Sequence, residues 1–198
     1  MTKLGPVVLT RGDIARRVRE LGRAIEVDYA GTEPVLIPVL PGATVLVADL
    51  IREIDLPLQV HPIAISGFGP GHDEEERRSS QGRVRIVLDV EVPLTDRDAI
   101  LVQDVIDTGL TTRYVLATLR EREPNSLEVC TLLSRSARRI APVTPRYLGF
   151  PCPDPYVVGY GLGVERRHRG LPDVHAIDDR VPQAGLSGSQ TTDRLEPR

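Results

Sequence analysis

Two carboxylates, an amide and a cluster of hydroxyls fall within ten residues of one another, on the stretch Ala99-Ile100-Leu101-Val102-Gln103-Asp104-Val105-Ile106-Asp107-Thr108-Gly109-Leu110-Thr111-Thr112. The apolar run from Ala99 to Ile106, broken by Gln103 and Asp104, has strand character. It stops at Asp107-Thr108-Gly109, and Leu110 to Glu123 then reads as a helix. A strand, a tight loop and a helix in that order put the carboxyl end of the strand and the free amides of the helix start on one crevice, where ligands bind in open α/β sheets. Gly109 lets the loop take a backbone geometry closed to other residues, and Thr108, Thr111 and Thr112 add hydroxyl donors. Such a nest holds a phosphate without a lysine. Asp104 and Asp107 beside it repel a bare anion unless the ligand also brings metal or hydroxyl groups, which points to a phosphorylated sugar with magnesium. The bland alternative is a capped loop in which Asp107 serves its own turn.

The rest of the chain supplies elements that can carry this loop. Val7 to Leu9 offers a short edge strand. Thr10 caps a helix predicted over Asp13 to Val27, with Ile14, Val18, Leu21, Ala24 and Ile25 at helical spacing and the intervening arginines on the wet side. Val35 to Leu40 is a core strand and Thr44 to Ile54 the helix after it, joined by the tight loop Leu40-Pro41-Gly42-Ala43. His61 to Ser66 and Val84 to Val90 have strand character. The glycine-rich, charged insert between them, residues 67–83, is a candidate lid in which Arg77 and Arg78 either meet a leaving anion or face solvent. Ser126 to Leu133 is an apolar interior strand, and Arg135, Arg138 and Arg139 fall in the connection after it. Residues 181–198 are polar and without periodicity, a disordered tail on a single domain spanning 1–180.

Composition narrows the function classes. The net charge of -3 argues against a general nucleic-acid surface, and no apolar run reaches membrane-spanning length. Lys3 is the only lysine, so arginine carries nearly all positive charge. Cys130 and Cys152 lie far apart with no metal-ligand partners near them, which reads as free thiols in a reducing, cytoplasmic compartment.

The strand-loop-helix stretch resembles the phosphoribosyl-pyrophosphate motif of the type I phosphoribosyltransferases. Neighbouring segments are similar to the hypoxanthine-guanine branch: Pro34 to Ala43, Ala48 to Pro57, Val129 to Leu133, Tyr147 to Phe150 and Tyr156 to Leu162 occur in that family's order and spacing. The resemblance implies an α/β fold with a central, mostly parallel sheet flanked by helices, and a small hood drawn from residues 144–171. It implies an enzyme that moves the 5-phosphoribosyl group from phosphoribosyl pyrophosphate to a nitrogen of hypoxanthine, guanine or a related heteroaromatic base, with Mg2+ as cofactor, pyrophosphate as co-product, and a homo-dimer or tetramer as the assembly.

Carried over residue by residue, Asp107 matches the carboxylate credited with proton transfer and Arg169 the arginine that contacts pyrophosphate. Thr108, Gly109, Leu110 and Thr111 match the phosphate loop. Asp104 matches one of two acidic groups that hold the ribose hydroxyls and, through them, the metal; Gln103 stands at the other. Leu40, Pro41 and Gly42 match the pyrophosphate loop, where Pro41 replaces a lysine or asparagine and a cis Leu40-Pro41 bond would keep the family's geometry. Tyr156 matches the aromatic residue stacked on the base, and Val157 lines the same pocket. The lysine that donates to the purine 6-oxygen falls at Thr144, with Arg146 two places on, and a carboxylate bordering the base falls at Gly163. At the start of the lid, Ser66 is followed by Gly67-Phe68 in place of the family's tyrosine. These departures imply either purine transfer, a different planar acceptor selected by Thr144, Arg146 and Gly163, or a catalytically weak nucleotide-binding protein.

Overall fold

The computed structural model describes residues 4–66, 85–152, 156–164 and 167–177. The expected lid, residues 67–83, and the expected tail lie outside these. In chain order the elements are β1 (Leu4–Leu9), α1 (Arg11–Asp28), β2 (Val35–Leu40), α2 (Thr44–Leu50), a short 3-10 turn (Ile51–Glu53), β3 (Gln59–Val60), β4 (Ile63–Ser66) and β5 (Arg85–Leu88). Next come β6 (Asp98–Ile106), α3 (Leu110–Arg120), β7 (Ser126–Ser134), β8 (Tyr147–Pro151), β9 (Val157–Val158) and β10 (Val174–Ile177).

The main sheet has seven strands, ordered β5-β4-β2-β6-β7-β8 with the short β3 also paired to β2. All its pairings are parallel except β4 with β5. Pro38 lies inside β2, where a missing N–H would normally break a ladder. It is tolerated because alternate residues address the same neighbour. Leu36, two residues before, accepts from the His61 amide, and Pro38 falls between the β3 pairing at Val35–Leu36 and the β4 pairing at Val39–Leu40.

Alternation along β6 divides the core. Ile100 and Val102 face α1 and α2 with Ile14, Val18, Leu21, Ile25, Leu46 and Leu50. Ala99 and Leu101 face α3 with Val115, Leu116 and Leu119. Each such Leu, Ile or Val, taken fully out of water, contributes about 1.5–3 kcal/mol. At the head of α1, the Thr10 hydroxyl accepts from the Asp13 amide at 3.2 Å and donates to its carboxylate at 2.7 Å, the expected cap.

A second, antiparallel sheet of order β1-β10-β9 forms the hood. It docks by burying Val157, Tyr160, Leu162 and Val174 in the α1 and α2 side of the core. Two polar ties accompany this: the Tyr160 hydroxyl donates to Asp49 Oδ2 on α2 at 2.7 Å, and the Arg11 amide donates to Asp173 Oδ1 at 2.7 Å. The expected hood strand Tyr147–Phe150 is corrected here. It lies in the main sheet as β8, parallel to β7, with Cys130 opposite Tyr147. To run parallel, the chain leaving the carboxyl end of β7 must travel back to the strand's middle, at Cys130, before β8 starts.

Gly22 on α1 faces the 3-10 turn so closely that a Cβ there would stand 2.5 Å from the Glu53 carbonyl oxygen. Gly22→Ala gains about 1 kcal/mol of helix propensity but meets an overpacking cost of about 1–3 kcal/mol against backbone that cannot rotate away. The variant is therefore expected to unfold at lower urea concentration than the parent; an equal or higher midpoint would show that the helices separate at little cost.

Candidate functional site

Three parallel strands end on one edge, and the turns that leave them build the site. After β2 the chain turns through Leu40-Pro41-Gly42, and the Leu40-Pro41 bond is cis, as expected from the sequence. After β6 comes Asp107-Thr108-Gly109, with Gly109 at φ +80° as the N-cap of α3. After β7 comes Arg135, and a short turn holds Arg138 beside it.

At the phosphate loop the first α3 bond is from the Arg113 amide to the Gly109 carbonyl at 2.9 Å. Helix geometry leaves the amides before it directed out of the loop mouth, where they suit an anion. The Leu110 amide also meets the Thr108 hydroxyl at 3.4 Å, while Leu110's own side chain is exposed. Thr111 is half-buried at the same turn. Thr112 turns away from this loop: it is buried, and its hydroxyl donates to Gln103 Oε1 at 2.7 Å beneath α3.

That bond relocates Gln103. Adjacent strand residues point to opposite faces, so Gln103 faces α3 while Asp104 faces the loop after β2. The sequence resemblance sets the two side by side at one sugar; the pleat separates them. Asp104 packs against Gly42, whose missing side chain is the space the carboxylate occupies. The Val105 amide donates to Asp104 Oδ1 at 2.8 Å. Burial raises the Asp104 pKa above the usual carboxylate range, opposed by that amide and by the charge of Arg169. Arg169 itself lies along Gly163, where a Cβ would stand 2.8 Å from its Cγ, and donates to the Gly161 carbonyl at 2.6 Å. Gly161, at φ +91°, in turn rests on the Gly42 carbonyl. The hood glycines thus bring Arg169, the loop after β2 and Asp104 together.

Asp107 sits among arginines. Its Oδ1 is 3.8 Å from Arg135 Nη1 and its Oδ2 is 3.7 Å from Arg138 Nη1. Both distances exceed hydrogen-bond length, and Oδ1 is buried without a hydrogen-bond partner among the described residues. Tyr156 lies next to the same pair: the guanidinium carbons of Arg135 and Arg138 are 5.5 and 5.8 Å from its ring centre, and Arg138 Nη1 donates to its hydroxyl at 3.4 Å. The Tyr156 side chain packs against the cluster of Val158, Val164 and Ile177, while Val157, next to it in the chain, is buried in the main core. Arg135 also donates to Cys152 Sγ at 3.3 Å.

Thr144 and Arg146, expected at the base, are corrected. Thr144 lines a hollow with Arg113, Arg120, Leu127 and Glu128 under α3. Arg146 pairs with Asp28 Oδ2 at 3.0 Å and Glu128 Oε1 at 3.6 Å. Glu128 lies six residues before Ser134 on β7, about 20 Å from the carboxyl edge at the strand rise. Both residues end the return crossover, and Arg135, which begins it, is the cation at Tyr156. In the sequence Arg135, Arg138 and Arg139 read only as part of a connection; their place directly after an interior strand is the signal that marks them.

Among the described residues no three His, Cys, Asp or Glu side chains cluster as a metal cage, and no helix is long and apolar enough to cross a membrane.

Residues 8–165 match the family model described as the phosphoribosyl transferase domain. The chain is 42% identical over 183 residues to a hypoxanthine-guanine phosphoribosyltransferase of Mycobacterium avium, covering 89% of this chain and 87% of that protein. It is 34% identical over 175 residues to the enzyme of the same name from Bacillus subtilis, covering 88% and 94%. Among solved structures, a hypoxanthine-guanine phosphoribosyltransferase of Bacillus anthracis superposes with a TM-score of 0.81 at 32% identity, covering 89% of this chain and 100% of that one. A hypoxanthine phosphoribosyltransferase of Staphylococcus aureus gives 0.80 at 33%, covering 88% and 92%.

The raised Asp104 pKa has a stability consequence with a definite sign. Between the unfolded and the folded pKa the native state holds more protons, so stability falls as pH rises through that window and stays lower above it. Asp104→Asn, without ligand, is expected to unfold at higher urea than the parent at pH 7. The two curves should converge below about pH 4, the ordinary aspartate range. A variant less stable than the parent at pH 7 would mean that the carboxylate is repaid within the free protein.

Proposed function

The chain belongs to the phosphoribosyl transferase domain family, and from that premise we propose that it transfers the 5-phosphoribosyl group from phosphoribosyl pyrophosphate to a ring nitrogen of a 6-oxopurine, hypoxanthine or guanine. One observation carries the reading: a buried carboxylate oxygen of Asp107 that has no hydrogen-bond donor among the described residues, set between a helix-start phosphate loop and an aromatic ring.

In this reading the 5-phosphate rests on the amides of Gly109 to Thr111, and Asp104 holds the ribose hydroxyls. The backbone at Leu40, Pro41 and Gly42, with Arg169 close by, receives the pyrophosphate. The base stacks at Tyr156 over Val157, and Arg135 donates to its oxo edge, a contact an arginine fork makes well. The bond from the anomeric carbon to the pyrophosphate oxygen breaks, its electron pair leaving with pyrophosphate, and a bond forms from the ring nitrogen to that carbon. The proton shed by the base passes to Asp107 Oδ1, which is placed to take it.

Magnesium belongs to the proposal. The donor set supplies one carboxylate at the sugar, Asp104, with Gln103 turned away and no side chain at Gly163. This suits an ion held mainly by substrate phosphates, hydroxyls and water, as Mg2+ commonly is. Such an ion supplies charge to the departing pyrophosphate when bound.

The readings built on Thr144 and Arg146, which favoured a different acceptor, lose their support because Thr144 lines the hollow under α3 and Arg146 is paired with Asp28 and Glu128, away from Tyr156. The test is to incubate the protein with phosphoribosyl pyrophosphate, magnesium and each of guanine, hypoxanthine, xanthine and adenine, and to monitor nucleotide and pyrophosphate. Guanine or hypoxanthine is expected to yield its nucleotide. Asp107→Asn is expected to keep donor binding and lose roughly 10²–10⁴ in turnover. No nucleotide from either base, or parent-like turnover by the variant, would overturn the reading.

A further inference from the structure

Of the three arginines that follow β7, Arg135, Arg138 and Arg139, the last neither pairs with Asp107 within ion-pair distance nor lies over the Tyr156 ring. Arg139 ends the turn after β7 and comes to rest behind the phosphate loop. Its Cδ and Nη1 stand 3.1 and 3.3 Å from where a Gly109 Cβ would be, beside the Ala141 carbonyl oxygen at 2.8 Å, so the side chain lies close against the glycine. The chain beyond it is strapped to the same loop: the amides of Ile140 and Ala141 both donate to the Thr108 carbonyl, at 2.8 and 2.9 Å. Arg139 Nη2 donates to Ser134 Oγ at 2.6 Å. Its Nη1 is buried and has no hydrogen-bond partner among the described residues. Burial lowers the guanidinium pKa and the charge of Asp107 acts against that, so the group is held charged in a place that disfavours charge.

A counter-ion role for Asp107 does not account for this placement, because Arg135 and Arg138 already face that carboxylate. What lies across the loop from Arg139 is the mouth formed by the first amides of α3. The loop has no lysine of its own, and a dianion resting there would meet only peptide dipoles and threonine hydroxyls were it not for a cation behind them.

We propose that Arg139 is a positioning residue for the phosphate loop: clamped behind Gly109 by Ser134 and by the strap to Thr108, it supplies the fixed positive charge that draws the donor's 5-phosphate onto the loop amides. This rests on the phosphoribosyl-transfer reading and adds a residue that acts through the loop rather than by touching the reacting atoms. It predicts an effect confined to the 5-phosphate end of the donor.

The experiment compares the parent with Arg139→Gln and Arg139→Lys, using calorimetry with ribose 5-phosphate and, separately, with pyrophosphate and magnesium, beside steady-state kinetics. Arg139→Gln should weaken ribose 5-phosphate about tenfold or more, the scale of a lost charge-assisted interaction, and leave pyrophosphate affinity as in the parent. It should raise KM for phosphoribosyl pyrophosphate by a similar factor with kcat within about threefold, and Arg139→Lys should recover most of the loss. Parent-like ribose 5-phosphate binding by Arg139→Gln would overturn the proposal. So would equal weakening toward both probes, which marks general disruption of the edge, or a lysine variant no better than the glutamine one, which marks shape and not charge. A parent that makes nucleotide yet gives these outcomes leaves the activity standing and removes the role of Arg139. A parent that binds no ribose 5-phosphate removes the phosphate site itself and the reading beneath it.

Discussion

The parallel registry of β2, β6 and β7 is the constraint on which everything else depends. Ile37 lies opposite Leu101, and Val102 opposite Cys130, so the three strands end within a few residues of one another on the same edge. Each must then lead into a crossover, and the start of each crossover is delivered to that edge. The cis turn at Leu40-Pro41, the loop at Asp107 to Gly109 and the arginine turn after Ser134 are three consequences of one pairing pattern. The hood adds a fourth piece, seated through Tyr160 and Asp49 and through glycines that let Gly161 rest on Gly42.

Electrostatics at this edge are arranged for a ligand at the expense of the empty protein. Asp104 is a carboxylate pressed into a backbone loop, and among the described residues Asp107 has a buried oxygen without a donor and Arg139 a buried N–H without an acceptor. Unpaired polar atoms of this kind each cost stability, typically about 1–3 kcal/mol. In a protein whose strands and helices otherwise sort apolar from polar residues, their concentration around one crevice marks where that cost is accepted for function. In the proposed reaction the sugar hydroxyls answer Asp104 and the ring N–H of the base answers Asp107, while Arg139 acts on the 5-phosphate through the loop.

Much of this was legible in the sequence because local chemistry and tertiary placement agree. The cap at Thr10, the strand-loop-helix at Ala99 to Thr112 and the cis Leu40-Pro41 turn all arise from residues a few positions apart. What was not legible depends on direction. Gln103 and Asp104 are neighbours in sequence, yet the two-residue period of a strand sends them to opposite faces, and only the observed Thr112 bond fixes which face takes which. Thr144 and Arg146 stand away from the site for a longer-range reason: a spacing count carries no information about where the return crossover ends, and β8 begins opposite Cys130, well back from the carboxyl edge of β7. The same count hid Arg135, Arg138 and Arg139, whose roles come from standing at the crossover's start. The contribution of Gly163 likewise emerged as space for Arg169 and not as a lost carboxylate alone.

In the proposed reaction a single edge binds both phosphate ends of one donor, the 5-phosphate on the loop after β6 and the pyrophosphate on the loop after β2. Amide hydrogen exchange resolved by residue, with and without phosphoribosyl pyrophosphate and magnesium, reads this most directly. Protection should rise together at Gly109 to Thr112 and at Gly42 to Thr44, with the Arg113 and Arg120 face of α3 unchanged. Protection at one loop without the other, or at neither, would contradict a shared donor site on this edge.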